Sequence, residues 1–409
     1  MLKEYKFLIA AAVFTYIFLL FCINKEAFWY DAICWEEWSN LIRKNGLHAA
    51  YDADISTVNY MPLYLYVLKI YTWLAGDGAS LKDTIHFLKA VPLFFEVLSV
   101  ALLAALVENK EQRLFFFIVG ALNIGFLYDT MFWHQVDGIL AFFLLVALLF
   151  AIKKRTMLSF VFFILALNFK IQAVMLLPLL GLLWLQNITF KKMASMLLVF
   201  IVLQCVIILP FLIHGNAKNI LNIVFNSYNH YEEVSKNAHN IWYLLINGSP
   251  VSVSDKLTFA GISYHHYGLM MYIGAIVILI APIAWQMIQN KSLKVKGYSA
   301  KFYVLIAALL PYVFFYFNTQ MHERYFHCAL IFIAWLAFVY KHWILYVFIS
   351  IVYFLSLDTI LRNFRLLNHC DWIYNDKFSA VLFTLGLIYL LYLWYREWQK
   401  NKHQIALNS

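Results

Sequence analysis

The sequence predicts an all-α polytopic membrane protein, and three observations predict it. The 409 residues are 64% hydrophobic and only 13% charged, with a mean hydropathy of +0.72, whereas an ordinary soluble domain carries about 25% charged residues. Apolar stretches recur along the whole chain, near the roughly 20 residues a helix needs to cross the hydrocarbon core. Between them stand clusters of Lys and Arg, as in the short cytoplasmic loops of membrane proteins. Together these exclude a water-soluble enzyme. They also account for the net charge of +9, because basic residues that set orientation need no nucleic acid partner. Five cysteines, Cys22, Cys34, Cys205, Cys328 and Cys370, show no metal-type spacing and imply neither a zinc site nor a disulfide framework.

The elements follow in order. The run 7–24, behind Lys3 and Lys6 and with no small-residue cleavage site after it, reads as a retained first span with its N-terminus inside. Basic clusters at Lys110/Arg113, Lys153 to Arg155, Lys191/Lys192, Lys291 to Lys301, Lys341 and Arg396 to Lys402 then mark the inner face. Spans consistent with them run near 86–107, 114–128, 138–152, 156–169, 172–186, 193–213, 266–287, 302–317, 325–340, 343–358 and 377–395, for about twelve in all. The run 62–76 would break the alternation if it crossed. It carries Lys69 mid-run with tyrosines and Trp73, which suits a helix lying in the interface. The first outer loop is therefore 25–85, and the second is 214–265. The inner segments hold 17 basic and 4 acidic residues, and the rest holds 14 and 18. The two crossings that share 156–186 are short enough to be tilted or re-entrant. No internal repeat is visible.

Charges at membrane depth are costly and mark functional sites by default. Asp31 lies in FWYDAICWEEW, Asp129 and Asp137 in YDTMFWHQVDG, Lys170 and Gln172 in LNFKIQA, and His322, Glu323 and Arg324 in MHERYF. The topology, built from the inner lysines alone, brings all of them to the outer face. Arg as a planar fork and Lys as a point charge bind phosphate well. A carboxylate beside a lipid phosphate is placed to act as general base on an acceptor hydroxyl while the neutralised phosphate leaves. That chemistry is sugar transfer from a polyprenyl phosphate. Asp31 is the predicted base. Lys170, Arg324 and His322 are the predicted phosphate ligands, and Glu323 orients Arg324. Asp129 and Asp137 support the site or cap a span. With Asp31 they also offer a possible divalent-cation set of hard oxygen ligands; the sequence implies no other cofactor. Asn237, Asn240 and Trp242 in NAHNIW read equally as sugar contacts or as a loop cap with an aromatic anchor. Asp52 and Asp54 are secondary acids, and Glu36 and Glu37 are surface residues.

The order FWYDAICWEEWSNLIRKNGL, NYMPLYLYVL, WHQVDG, LNFKIQAVMLLPLL, NAHNIW, MHERYF resembles the GT-C superfamily of membrane glycosyltransferases. Within it the closest resemblance is to the bacterial polyprenyl-phosphate-sugar-dependent group related to the GPI-anchor mannosyltransferases. The resemblance implies a GT-C fold with a conserved module at 1–213, the second outer loop at 214–265 and variable C-terminal helices at 266–409. It implies an inverting hexosyltransferase, taking a polyprenyl-phosphate sugar to a glycan or lipid-linked acceptor on the outside of a bacterial cytoplasmic membrane. Asp31 then matches the catalytic base, Asp137 the acid of a WGQxD pattern, Lys170 the lysine of a K-P-Q-A pattern, and His322, Glu323 and Arg324 an HERY. His134 stands where the family usually has Gly, Ile171 where it often has Pro, and Met61 where it often has a first Pro. Two other classes remain open: an outer-face polysaccharide polymerase or ligase, which also binds lipid phosphates, and a lipid or sugar transporter. The transporter would spread polar residues through both membrane halves and often show a repeat, and neither pattern is present.

Overall fold

A computed structural model describes residues 2–52, 57–213, 215–226, 231–295, 297–363 and 371–407. The second-line acid Asp54 lies outside the described residues, as does Cys370. The chain is mostly helical. Its helices are α1 (Leu2–Phe21), α2 (Trp29–Asn45), α3 (Pro62–Ala75), α4 (Leu81–Ala105), α5 (Lys110–Trp133), α6 (Asp137–Ile152), α7 (Thr156–Phe169), α8 (Ile171–Leu185), α9 (Phe190–Leu212), α10 (Ala217–Asn226), α11 (Tyr264–Gln289), α12 (Ala300–Phe317), α13 (Glu323–Tyr340), α14 (Trp343–Leu361) and α15 (Asp376–Leu407). A short helical turn, Trp242–Leu245, stands between α10 and α11.

Among the described residues, eight helices are long and apolar enough to cross a membrane: α4, α5, α9 and α11 to α15. Shorter apolar helices occupy the other four predicted segments: Tyr5–Phe21, α6, α7 and α8. At 14 residues, α7 is about 21 Å long at 1.5 Å per residue, short of the roughly 30 Å hydrocarbon core. Most of α12 and α13 is buried, whereas α9 and α11 expose leucines and isoleucines along most of their length. An apolar helix left uncovered belongs against lipid.

Several bounds differ from the expected ones for identifiable reasons. The expected span 114–128 extends to 110–133, because Asn109 caps its start by accepting from the Glu111 amide at 3.0 Å, and because the end continues into a wider π-helical turn at Tyr128–Trp133. Such turns concentrate at functional sites. The expected span 377–395 is the much longer α15, which runs past the apolar run because its polar end packs on the chain before α12. There Ser299 donates to Glu397 at 2.7 Å.

The run 62–76 folds as α3. Extended Met61 and then Pro62 at the first helical position start it, and Gly76 at φ 79 ends it. Tyr64, Leu65, Leu68 and Tyr71 are buried on one face, while Lys69, Ile70, Trp73 and Leu74 are exposed on the other. The buried face packs on α2 through an aromatic cluster in which the Trp35 ring lies 4.7 Å from Tyr64 and 4.9 Å from Tyr60.

The second long loop, 214–265, is tied down by polar bonds in its described part. Its strand β1 (Ser235–Lys236) pairs in parallel with β4 (Met321–His322), while β2 (Thr258–Phe259) and β3 (Ile262–Ser263) form a small antiparallel pair. Buried Asp255 accepts from Thr319 at 2.9 Å and from Gln320 at 2.8 Å, and lies 3.0 Å from the His265 ring. These bonds clamp the loop to the connection between α12 and α13, which carries His322.

Candidate active site

Asp31 sits in the first turn of α2, where the amide dipoles favour a carboxylate. All of its contacts fall on one oxygen. Oδ2 accepts from Gln135 Nε2 at 2.6 Å and from Trp133 Nε1 at 3.2 Å, and lies 3.8 Å from an Arg324 guanidinium nitrogen. Oδ1 has no partner among the described residues. The carboxylate is thus held by one edge and offers the other. Trp133 and Gln135 reach it from the end of the π-helical turn, and Arg324 arrives from the opposite side at the start of α13.

Arg324 is buried, with the same guanidinium nitrogen 3.4 Å from Glu323 Oε1 and 3.4 Å from His322 Nδ1. Its Nε has no partner among the described residues. The cation therefore stands between two carboxylates, and Glu323 is placed to orient it. His322 packs on Tyr231 and Tyr325, with ring centroids 4.9 and 5.3 Å away. The pairing of β4 with β1 lays the second outer loop over it.

Lys170 ends α7 in extended conformation and Asp137 begins α6, and both are buried. The Lys170 ammonium donates to both Asp137 oxygens, at 2.8 and 3.0 Å. The folding of α6 against α7 supplies this partner, which no spacing in the sequence announces. Its ammonium also lies 5.4 Å from the Tyr325 ring and 5.7 Å from the Tyr60 ring. Arg324 borders the same Tyr325 ring at 5.8 Å, so both cations face a single aromatic wall. Gln172 follows directly, half-buried, in the opening turn of α8.

Other expected residues have different surroundings. Asp129 is fully buried, with Oδ2 3.1 Å from His327 Nδ1. A cation set of Asp31, Asp129 and Asp137 does not form: each carboxylate faces a different cation, Arg324, His327 and Lys170 respectively. Among the described residues no group of three or more His, Cys, Asp or Glu side chains is placed to hold a metal ion. Asn240 is engaged wholly with backbone: it donates to the Phe315 and Asn318 carbonyls and accepts from the Trp242 amide. Trp242 donates to the Phe317 carbonyl at 3.0 Å. Of the two readings of this pair, the loop cap with its aromatic anchor is the one these bonds match. Asn237 takes the left-handed backbone at φ 64, which Asn tolerates, and bridges to His322.

Residues 55–232 match a family model, described as ALG3 protein, of dolichyl-phosphate-mannose-dependent α-1,3-mannosyltransferases of GT-C type. Over that segment the chain is similar to a family of GT-C membrane mannosyltransferases. No curated protein matches it. The family match bears out the resemblance read from the motifs, and with it a membrane glycosyltransferase. The matched segment holds Asp129, Asp137 and Lys170. Asp31, His322 and Arg324 lie outside it, and Asp31 and Arg324 are brought together by folding alone.

The departure at His134 has a physical consequence. Its φ of 70 is left-handed, the conformation for which Gly is the ordinary choice. The ring is buried and neither nitrogen has a partner among the described residues. Burial, with the charges of Lys89 and His86, pushes the imidazole down to about 3, so it is neutral in the folded protein at pH 7. A histidine with a depressed folded pKa stabilises the fold above its unfolded pKa of about 6.5, and that contribution is lost as pH falls towards the folded value. The expected outcome is that detergent-solubilised protein loses stability between pH 6.5 and 4, and that His134→Phe loses less over this interval. Equal slopes in thermal unfolding of the two proteins would contradict this.

Three charged residues here escaped the motif reading. Lys89 donates to Asn24 Oδ1 at 2.8 Å, to the Met131 carbonyl at 2.5 Å and to the Glu26 carbonyl. It thereby staples the start of the first outer loop to the π-helical turn. Glu96 and His327 meet Asp129 in the core. The signal for two of them was a charge within an apolar run, since Lys89 and Glu96 both fall in the expected span 86–107.

Proposed function

We propose that this protein transfers mannose from polyprenyl-phosphate mannose to a glycan or lipid-linked acceptor at the extracytoplasmic face of its membrane, with inversion. The observation that carries the proposal is the open edge of Asp31 beside Arg324, in a chain whose central segment matches the ALG3 model. Asp31 Oδ1 takes the proton of the acceptor hydroxyl as its oxygen bonds to the anomeric carbon. The bond from that carbon to the phosphate oxygen breaks, and the polyprenyl phosphate leaves with the electron pair. Arg324, His322 and Lys170 face the departing phosphate, where donors aimed at developing charge lower the barrier most. Binding of the donor's phosphodiester anion would draw Arg324 and Lys170 partly from the carboxylates that neutralise them in its absence, and both then face the second negative charge that develops as the polyprenyl phosphate leaves.

The topology that supports this reading has twelve crossings, with α3 lying in the interface. The family matched is of endoplasmic-reticulum type. The lumenal face of that membrane and the outer face of a bacterial cytoplasmic membrane are topologically equivalent, and the bacterial location is the one we propose. The test is reconstitution of purified protein in liposomes with radiolabelled polyprenyl-phosphate mannose and a lipid extract as acceptor source. Transfer of label to glycolipid is expected. Transfer only from a lipid-diphosphate glycan would identify a polymerase or ligase instead, and movement of intact donor between leaflets would identify a transporter.

A further inference from the structure

We propose that His327, Glu96 and Asp129, with Thr130, form a positioning cluster that sets the geometry around Asp31 for the transfer proposed above, on which this inference rests. The cluster joins three segments distant in sequence. His327 lies at the start of the α-helical part of α13, Glu96 midway along α4, and Asp129 in the π-helical turn of α5. Glu96 Oε1 is 3.3 Å from His327 Nε2, and Asp129 Oδ2 is 3.1 Å from His327 Nδ1. Thr130 donates to Glu96 Oε1 at 2.5 Å. His327 and Asp129 are 1% and 0% exposed and Glu96 6%, so the group is not a solvated surface network. Removing one member of such a buried ionic group leaves the others without compensation.

The location of the cluster is what suggests its role. Arg324, the cation beside Asp31, is one helical turn before His327, and its carbonyl accepts from Tyr353 at 3.2 Å. On the other side, the Asp129 carbonyl accepts the Gln135 amide at 3.1 Å. Of the two donors to Asp31, Trp133 ends that same turn and Gln135 follows two residues later. Each group that touches Asp31 is therefore tied back to one member of the cluster: Arg324 through His327, and Trp133 with Gln135 through Asp129. Glu96 ties both to α4. Gly138, beside Asp137, leaves room for this, because a Cβ there would stand 2.6 Å from Glu96 Cγ. A shift of about 1 Å in an arrangement of this kind costs about 100-fold in rate, which is the scale on which such positioning acts.

The test measures mannosyl transfer by purified protein in nanodiscs, normalised to monodisperse folded protein. His327→Gln removes a charge from a buried group and is at risk of misfolding, so Thr130→Val, Thr130→Ser and Gly138→Ala accompany it; these keep all three ionisable groups. Thr130→Val is expected to lower kcat about tenfold with donor KM within twofold of wild type, and Thr130→Ser to restore it. Gly138→Ala, which displaces Glu96, is expected to behave as Thr130→Val does. If Thr130→Val and Gly138→Ala both turn over at the wild-type rate while wild type transfers mannose, the positioning role is overturned and the proposed function stands. A fall in folded yield alone, with kcat per folded molecule unchanged, overturns it equally. A wild-type protein that transfers no mannose overturns the proposed function, and the positioning role with it.

Discussion

Asp31→Asn is expected to lower mannosyl turnover by roughly two to four orders of magnitude, the usual scale for loss of a general base, while donor binding is retained. The substitution is nearly isosteric, and the amide oxygen still accepts from Trp133 and Gln135, so the surroundings that hold Asp31 Oδ2 at 3.2 and 2.6 Å respectively survive. What is lost is the ability of the free edge to take a proton. The measurement is single-turnover transfer in liposomes beside equilibrium binding of polyprenyl-phosphate mannose. A variant with normal turnover refutes the assignment. A variant that no longer binds donor shows that the carboxylate holds Arg324 in place and leaves its role as base unsupported.

Lys170→Ala is expected to damage folding as well as donor binding, because it strands the buried Asp137 carboxylate that the ammonium holds at 2.8 and 3.0 Å. Breaking a buried pair by removing one partner costs about 3–5 kcal/mol. Removing both charges together, in Lys170→Met with Asp137→Asn, is expected to recover most of the folded yield but not the donor affinity. That split separates the two consequences of one side chain: the pair explains the stability, and the phosphate explains the affinity. Recovery of full donor affinity in the double variant would remove Lys170 from the phosphate site. Detergent-stability measurements alongside donor titration distinguish the outcomes.

Much of the site was legible because charge is conspicuous in an apolar chain. Asp31, Asp137, Lys170, His322, Glu323 and Arg324 each interrupt or border a hydrophobic run, and burying a charge is costly enough that such residues seldom occur without a reason. The same rule was available for Lys89 and Glu96, which lie inside an expected span. His327 gave no such signal, since a lone histidine in HCALIFIAW reads as an ordinary core residue. Asn237 and Asn240 are the converse case: polar residues in an outer loop whose observed contacts lie in a bridge at a left-handed turn and in backbone bonds.

The apolar composition, the placing of the helices between basic clusters and the identity of most charged residues near Asp31 were determined by the sequence alone. These depend on local hydrophobicity and on the cost of charge in hydrocarbon, which are properties of short segments. The partnerships among those charges were decided only in the tertiary structure. Which carboxylate faces Arg324, which one neutralises Lys170 and which meets His327 depends on how α2, α5, α6, α7 and α13 pack, and residues 31 and 324 become neighbours only then. A pairing energy depends on the distance between two charges in space and on the dielectric around them, not on their separation along the chain, so no sequence spacing encodes it. The open edge of Asp31 is likewise a consequence of three groups converging on a single oxygen, and only packing brings them there.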